Sequence, residues 1–164
     1  NLIFYGLNYN PKNIKGRFFI MEMEKISSSL EDYLESIYNH ITAKQGVKAV
    51  DISRDLRVSR ASVTETLKKL AGRGLINYSP YGVISLTAEG SRIARGVLRK
   101  HIILSQFFED ILGVGNEEAQ ENACRIEHVI SEEAFERLIA FTEFSRGHGE
   151  DFIKYYDKLK NRGK

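Results

Sequence analysis

The stretch AVDISRDLRVSRASVTETLKKLAGRGLINYSPYGVISLT, residues 49–87, decides the fold. Val50, Ile52 and Leu56 are the apolar positions of a short helix over Ala49–Leu56. A tight turn at Arg57-Val58 leads to Ser59, whose hydroxyl suits the N-cap of the next helix. That helix runs through Val63, Leu67 and Leu70 to Gly72 or Gly74. Two helices joined by so short a turn make a helix-turn-helix. Leu75–Tyr78 and Val83–Leu86 then read as short strands, with turn chemistry at Ser79-Pro80-Tyr81-Gly82 between them. A hairpin placed directly after a helix-turn-helix predicts a wing.

Upstream, Leu30, Tyr33, Leu34, Ile37, Tyr38 and Ile41 recur at the spacing of an amphipathic helix. That helix starts near Ser28 or Ser29, runs to about Thr42, and is stopped by Gly46. Downstream, Thr87 caps a long helix from about Ala88 to Leu112, ended by Gly113. A further helix spans about Glu117 to Ile130. Ser131 caps the next one, with Glu132 and Glu133 at its positive end, and it runs to about Phe144. Gly147 and Gly149 break that helix, and Asp151–Leu159 forms a last short one. The expected fold is therefore mainly α: a winged helix-turn-helix with a small β-hairpin wing over residues 21–90, then an all-helical domain over residues 91–164.

The first twenty residues, NLIFYGLNYNPKNIKGRFFI, lack acidic side chains, a starting Met and any clear period, and Met21 follows them directly. They read as an extension upstream of the true start, with a native arm as the alternative. They carry no small-residue cleavage site and so do not read as a signal peptide.

The 164 residues are 42% hydrophobic and 28% charged, which suits a globular chain with a real core. No apolar run approaches the ~20 residues of a membrane-spanning helix. The single cysteine, Cys124, excludes an internal disulfide framework and points to the cytoplasm. Net charge is only +2, but its distribution is uneven. Residues 51–73 hold Arg54, Arg57, Arg60, Lys68, Lys69 and Arg73 against Asp51, Asp55 and Glu65. Residues 117–136 hold seven Glu and one Arg. A basic middle suits an anionic partner, and an acidic later segment suits a cation.

The anionic partner expected of a helix-turn-helix is double-stranded DNA. Its second helix lies in the major groove and reads bases with its N-terminal residues, here Ser59, Arg60, Ala61, Ser62, Thr64 and Glu65. Hydroxyls there bond bases or phosphates, and Ala61 suits a thymine methyl. Lys68, Lys69 and Arg73 suit phosphates, which position the protein without specifying sequence. Tyr81, at the wing tip, suits the DNA backbone. The alternative is a winged helix that only contacts protein, its charges forming a solvated face.

In Cys124-Arg125-Ile126-Glu127-His128, helical geometry puts Cys124, Glu127 and His128 on one face. Thiolate, carboxylate and imidazole together suit a borderline divalent metal. Asp32 and Glu35 share a face of the first helix. His101 follows Arg99 and Lys100 on the long helix. Each also has an ordinary structural reading: Asp32 as helix-end support, Cys124 as a small buried hydrophobe, His101 as a surface residue.

ENACRIEHVISEEAFERL, residues 121–138, resembles the metal-binding segment of the diphtheria toxin repressor family, which includes the manganese transport regulators. The similarity extends from SLEDYLESIY through the winged helix and LTAEG to RKHIILSQFFEDILGV, covering about residues 29–144. It implies a homodimeric, metal-dependent DNA-binding repressor of metal-uptake genes, with no enzymatic activity, no membrane and no small organic substrate. It implies the ligand set Asp32, Glu35, His101, Cys124, Glu127 and His128, and Mn²⁺ or Fe²⁺ as the metal. Asp32 and Glu35 follow the manganese-type pattern, whereas Cys124 follows the iron-type pattern. The chain ends soon after the helical region, as the manganese type does, without the third, SH3-like domain of longer members. Two rival readings remain at this level: a winged-helix regulator gated by an organic ligand or by oxidation of Cys124, and a helical carboxylate di-metal enzyme.

Overall fold

The computed structural model describes residues 26–43, 46–79, 82–145 and 149–162. Residues 1–20, read above as an extension or arm, lie outside these. The helix α1 covers Ser28–Thr42, α2 Ala49–Asp55 and α3 Arg60–Gly72. Their apolar faces meet in one core. Leu34 and Ile37 of α1, Ile52 of α2, and Val63, Leu67 and Leu70 of α3 lose all contact with solvent. Burying each such side chain contributes roughly 1.5–3 kcal/mol relative to leaving it exposed. The turn between α2 and α3 places Arg57 at φ 54°, in the left-handed region. Ser53 Oγ closes the turn by donating to the Val58 carbonyl at 2.7 Å. Ser59 caps α3 as expected, accepting from the Ser62 amide at 3.1 Å.

The wing is a two-stranded antiparallel ribbon. The strand β1 (Ile76–Asn77) pairs with β2 (Ser85–Leu86), Ile76 opposite Leu86 and Asn77 opposite Ser85. These strands are shorter than the Leu75–Tyr78 and Val83–Leu86 expected from sequence. Leu75 explains part of the difference, because its backbone groups are used elsewhere. Its N–H closes the end of α3 on the Leu70 carbonyl at 3.0 Å. Its carbonyl accepts from both the amide and the hydroxyl of Thr87, each at 3.1 Å. Tyr81 lies outside the described residues.

Thr87 caps α4 (Ala88–Gln106), accepting from the Gly90 amide at 3.1 Å. Gly90 packs so closely on the base of the wing that a Cβ there would lie 1.9 Å from the Leu75 carbonyl oxygen. The long helix expected to run unbroken to Leu112 instead widens at its end. Phe107–Ile111 form a π-turn, with the Leu112 amide reaching back to the Phe107 carbonyl at 3.2 Å. The wider turn sets Phe107 edge-on to Phe108 and Phe141, at centroid distances of 5.7 and 6.3 Å. Gly113, at φ 69°, then ends the segment as its position predicted.

The helix α5 covers Asn116–Ile126, and so stops short of the expected Ile130. The amides of Val129 and Ile130 both fall back on the Ile126 carbonyl, and Ser131 begins the next helix by accepting from the Ala134 amide at 3.2 Å. The helix α6 spans Glu132–Ser145 and α7 Gly149–Arg162. Gly149, read from sequence as a breaker, is the first residue of α7. That helix is longer than Asp151–Leu159 because Glu150 and Asp151 occupy its positive end and Glu150 pairs with Lys154 at 3.2 Å. Both α6 and α7 pack on the π-turn, while α4 packs on α1 and on α5. Among the described residues, no helix is long and apolar enough to cross a membrane.

Candidate metal centre

Three elements meet beside α4, and each brings polar side chains. The buried stripe of α1 is Tyr33, Leu34 and Ile37, so its flanking positions Glu31, Asp32 and Glu35 lie half-buried at the border of the core. His101 comes from α4. Gln120 and Cys124 come from α5, and Glu127 and His128 from the turn that follows it.

Glu127 is the centre of the cluster, with only 1% of its surface exposed. Its Oε2 lies 2.8 Å from Nδ1 of His101, whose Nε2 lies 2.8 Å from Gln120 Oε1. His128 Nδ1 lies 2.7 Å from Glu31 Oε2. The other nitrogen of that ring, Nε2, is crowded by two carboxylates, Asp32 Oδ1 at 2.8 Å and Glu127 Oε1 at 3.3 Å. Neither contact is aligned as a hydrogen bond, and both His128 Nε2 and Glu127 Oε1 are buried without a hydrogen-bond partner.

Electrostatics follow from this crowding. Burial, reinforced by the charge of Glu127, raises the Glu35 carboxyl to about 7. The hydrogen bond to Glu127 raises the His101 imidazole to about 9. His128 is also raised: its burial works the other way and is outweighed by the hydrogen bond to Glu31 and the charge of Asp32. Each shift favours an added positive charge, here a proton. A divalent cation would meet the same demand, and the donors present (carboxylates, imidazoles and a thiol) are those a borderline divalent metal takes. Two buried polar atoms left without a hydrogen bond at their centre fit that use. Among the described residues, however, no three of these side chains converge as a formed coordination shell, because imidazoles and carboxylates close on one another instead.

The structure thus brings Asp32, Glu35, His101, Glu127 and His128 into one cluster. Cys124 is exposed rather than the buried hydrophobe of its ordinary reading. Its thiol is raised by partial desolvation and by the charges of Glu127, Asp32 and Glu35, which disfavours the reactive thiolate that an oxidation sensor needs. Sequence reasoning missed Glu31 and Gln120. The signal was spacing: Glu31 stands one turn before Glu35, and Gln120 one turn before Cys124.

The cluster is joined to the helix-turn-helix through α1. Asp55, the last residue of α2, accepts from Ser36 Oγ at 3.0 Å and faces His40 Nε2 at 2.7 Å. On α3 and its cap, Ser59, Arg60, Ala61, Ser62, Glu65, Lys68 and Lys69 are exposed and Thr64 is half-buried. Ser59 and Ser62 hydroxyls lie 2.8 Å apart, and the Thr64 hydroxyl donates to the Arg60 carbonyl at 3.0 Å. Lys69 pairs with Glu65 at 2.8 Å. Between α3 and the wing lies a groove of about 620 Å³, lined by Thr64 and Lys68 together with Lys48 and Tyr78, two polar residues the sequence reading did not single out.

Residues 25–84 match a family described as the N-terminal DNA-binding domain of iron-dependent repressors, and residues 87–149 match their metal-binding and dimerisation domain. An HTH-type transcriptional regulator of Methanocaldococcus jannaschii is 39% identical over 119 residues, 72% of this chain and 95% of that protein. The transcriptional regulator MntR of Escherichia coli is 38% identical over 120 residues, 73% of this chain and 75% of that one. Among solved structures, the manganese regulator SloR superposes with a TM-score of 0.63 at 30% identity, over 70% of this chain. The matched region spans 54% of the SloR chain, about half its length.

Proposed function

The chain belongs to the family of iron-dependent repressors, and from that premise we propose that it is a DNA-binding repressor gated by Mn²⁺ or Fe²⁺, acting as a cytoplasmic homodimer on metal-uptake genes. Residues 21–90 serve as the DNA-reading unit and residues 91–164 as the dimerisation and metal-binding unit. The observation that carries this reading is the pair of buried atoms without a hydrogen bond, Glu127 Oε1 and His128 Nε2, where α1, α4 and α5 meet.

Asp32, Glu35, His101, Cys124, Glu127 and His128 are the proposed ligands. A bound divalent cation supplies the positive charge that this set of carboxylates lacks. Asp32 and Glu35 carry the restraint to α1, His101 to α4, and the other three to α5 and its turn. Asp55, held by Ser36 and His40, passes the position of α1 to α2 and so to α3. If the restrained arrangement is the one that fits DNA, metal and operator raise each other's affinity by the same factor. Ser59, Arg60, Ala61, Ser62, Thr64 and Glu65 then read bases, Lys68 and Lys69 hold phosphates, and Tyr81 rests on the backbone. A two-fold dimer presents two such helices about 34 Å apart. The relatives are transcriptional regulators, and no catalytic step is assigned to any residue.

The test is binding to a palindromic operator fragment, titrated without oxygen with Mn²⁺, Fe²⁺ and Zn²⁺, each with and without chelator. Retardation lost with chelator and restored by Mn²⁺ or Fe²⁺ supports the reading, and equal affinity in all conditions rejects it. The same titration of Cys124→Glu separates the metals. Trading a soft donor for a hard one shifts activation toward Mn²⁺ if Cys124 is a ligand, and leaves the curves unchanged if it is not.

A further inference from the structure

The two histidines of the cluster meet their partners through opposite ring atoms. His128 presents Nδ1 to Glu31, at 2.7 Å, and His101 presents Nε2 to Gln120, at 2.8 Å. A carboxylate only accepts hydrogen bonds, and so does the amide oxygen of a glutamine. A neutral imidazole has one N–H and one lone pair. Glu31 therefore holds a proton on His128 Nδ1, so the proton a bound cation would displace is the one on Nε2, the atom that is buried without a hydrogen-bond partner. Gln120 likewise holds a proton on His101 Nε2, so the proton a bound cation would displace is the one on Nδ1, which in the metal-free chain donates to Glu127 Oε2 at 2.8 Å.

We propose that Glu31 and Gln120 are positioning residues that hold His128 and His101 in opposite tautomers when the cluster takes up a cation, leaving Nε2 of one ring and Nδ1 of the other, the two atoms beside Glu127, as the ligating atoms. The inference rests on the metal-gated reading above and adds two residues outside its ligand set. Glu31 is separated from His128 by 97 positions, so its bond also ties α1 to the turn after α5. The two partners are not equivalent. A carboxylate raises the basicity of the ring it holds more than a neutral amide does, so Glu31 contributes more to affinity than Gln120.

The experiment uses the full chain, labelled with ¹⁵N and loaded with Zn²⁺, a diamagnetic probe. Long-range ¹H–¹⁵N correlations report which nitrogen of each ring is protonated and which is metal-bound. The expected result is His128 protonated at Nδ1 and bound through Nε2, with His101 the reverse. Calorimetric titration with Mn²⁺ provides the second readout. Glu31→Ala is expected to weaken affinity about 10–100-fold. Glu31→Gln, whose amide oxygen still accepts from Nδ1, is expected to recover most of that loss, and Gln120→Ala to lose less than Glu31→Ala. The same protonated nitrogen in both rings, or a Glu31→Ala affinity equal to wild type, overturns the proposal. A wild-type chain that takes up neither Zn²⁺ nor Mn²⁺ overturns the metal-gated reading with it, which is a separate and recognisable outcome.

Discussion

The winged helix-turn-helix and the helical region after it are stabilised in different ways. In the first, six aliphatic side chains from three helices are wholly buried, and the helix ends are capped by side chains close in sequence. In the second, α5 contributes alanines, Ala119 and Ala123, to the buried set, and the carboxylate of Glu127 is buried beside α1 and α4. Its outer helices leave Phe141 at 52%, Phe144 at 82% and Tyr155 at 60% exposure. The first region closes an aliphatic core that also takes in Ala94 of α4. Under the proposed function, the second is completed by what it binds: a second subunit on its outer face and a cation on its inner one.

The strongest attempt to break this contrast is Leu67→Ala. Removing a wholly buried leucine is expected to cost about 2–5 kcal/mol. Thermal unfolding should show this loss equally with chelator and with Mn²⁺. A loss present only in chelator would mean that the first core depends on the second region. Next in size is Phe144→Glu, which places a charge on the outer face. Self-association should weaken at least tenfold, about 1.4 kcal/mol, by sedimentation equilibrium. An undisturbed dimer would show that α6 is not the covered face.

The smallest effect is on pH dependence. His101, held up to about 9 from an ordinary 6.5, contributes stability that is fully present below 6.5 and is lost as pH rises through 9. Glu35, raised from 4.5 to about 7 by burial, favours its neutral form. Its contribution is present below 4.5 and lost as pH rises through 7. The melting temperature of the metal-free protein should therefore fall between about pH 5 and 9. Saturating Mn²⁺ should flatten the slope or reverse it, since metal and proton compete for the same atoms. Parallel profiles with and without metal would separate these groups from the metal site.

Much of the fold was legible because it is written locally. Ser59, Thr87 and Ser131 each cap the helix that follows, and the Val63-Leu67-Leu70 spacing gives the buried stripe of α3. The π-turn was not legible, since Phe107 and Phe108 fit an ordinary helix equally well and only their packing on Phe141 distinguishes the two. The shortened wing was not legible either, because Leu75 divides its backbone bonds between Leu70 and Thr87, a choice made by tertiary structure. In the cluster, Cys124, Glu127 and His128 could be found by spacing on one helical face. Spacing sets Glu31 and Gln120 one turn before Glu35 and Cys124, but it does not show that each meets a ring contributed by another element.

The tight fit of Gly90 under the Leu75 carbonyl has a mechanical consequence. It leaves no room for slippage between the wing base and the start of α4, so the two turn as one lever. From residue 90 to residue 101 the helix rises ~16 Å. With His101 as fulcrum, a tilt of about 6° sweeps the wing base through roughly 1.7 Å, a displacement that carries a donor from hydrogen-bonding range to well outside it.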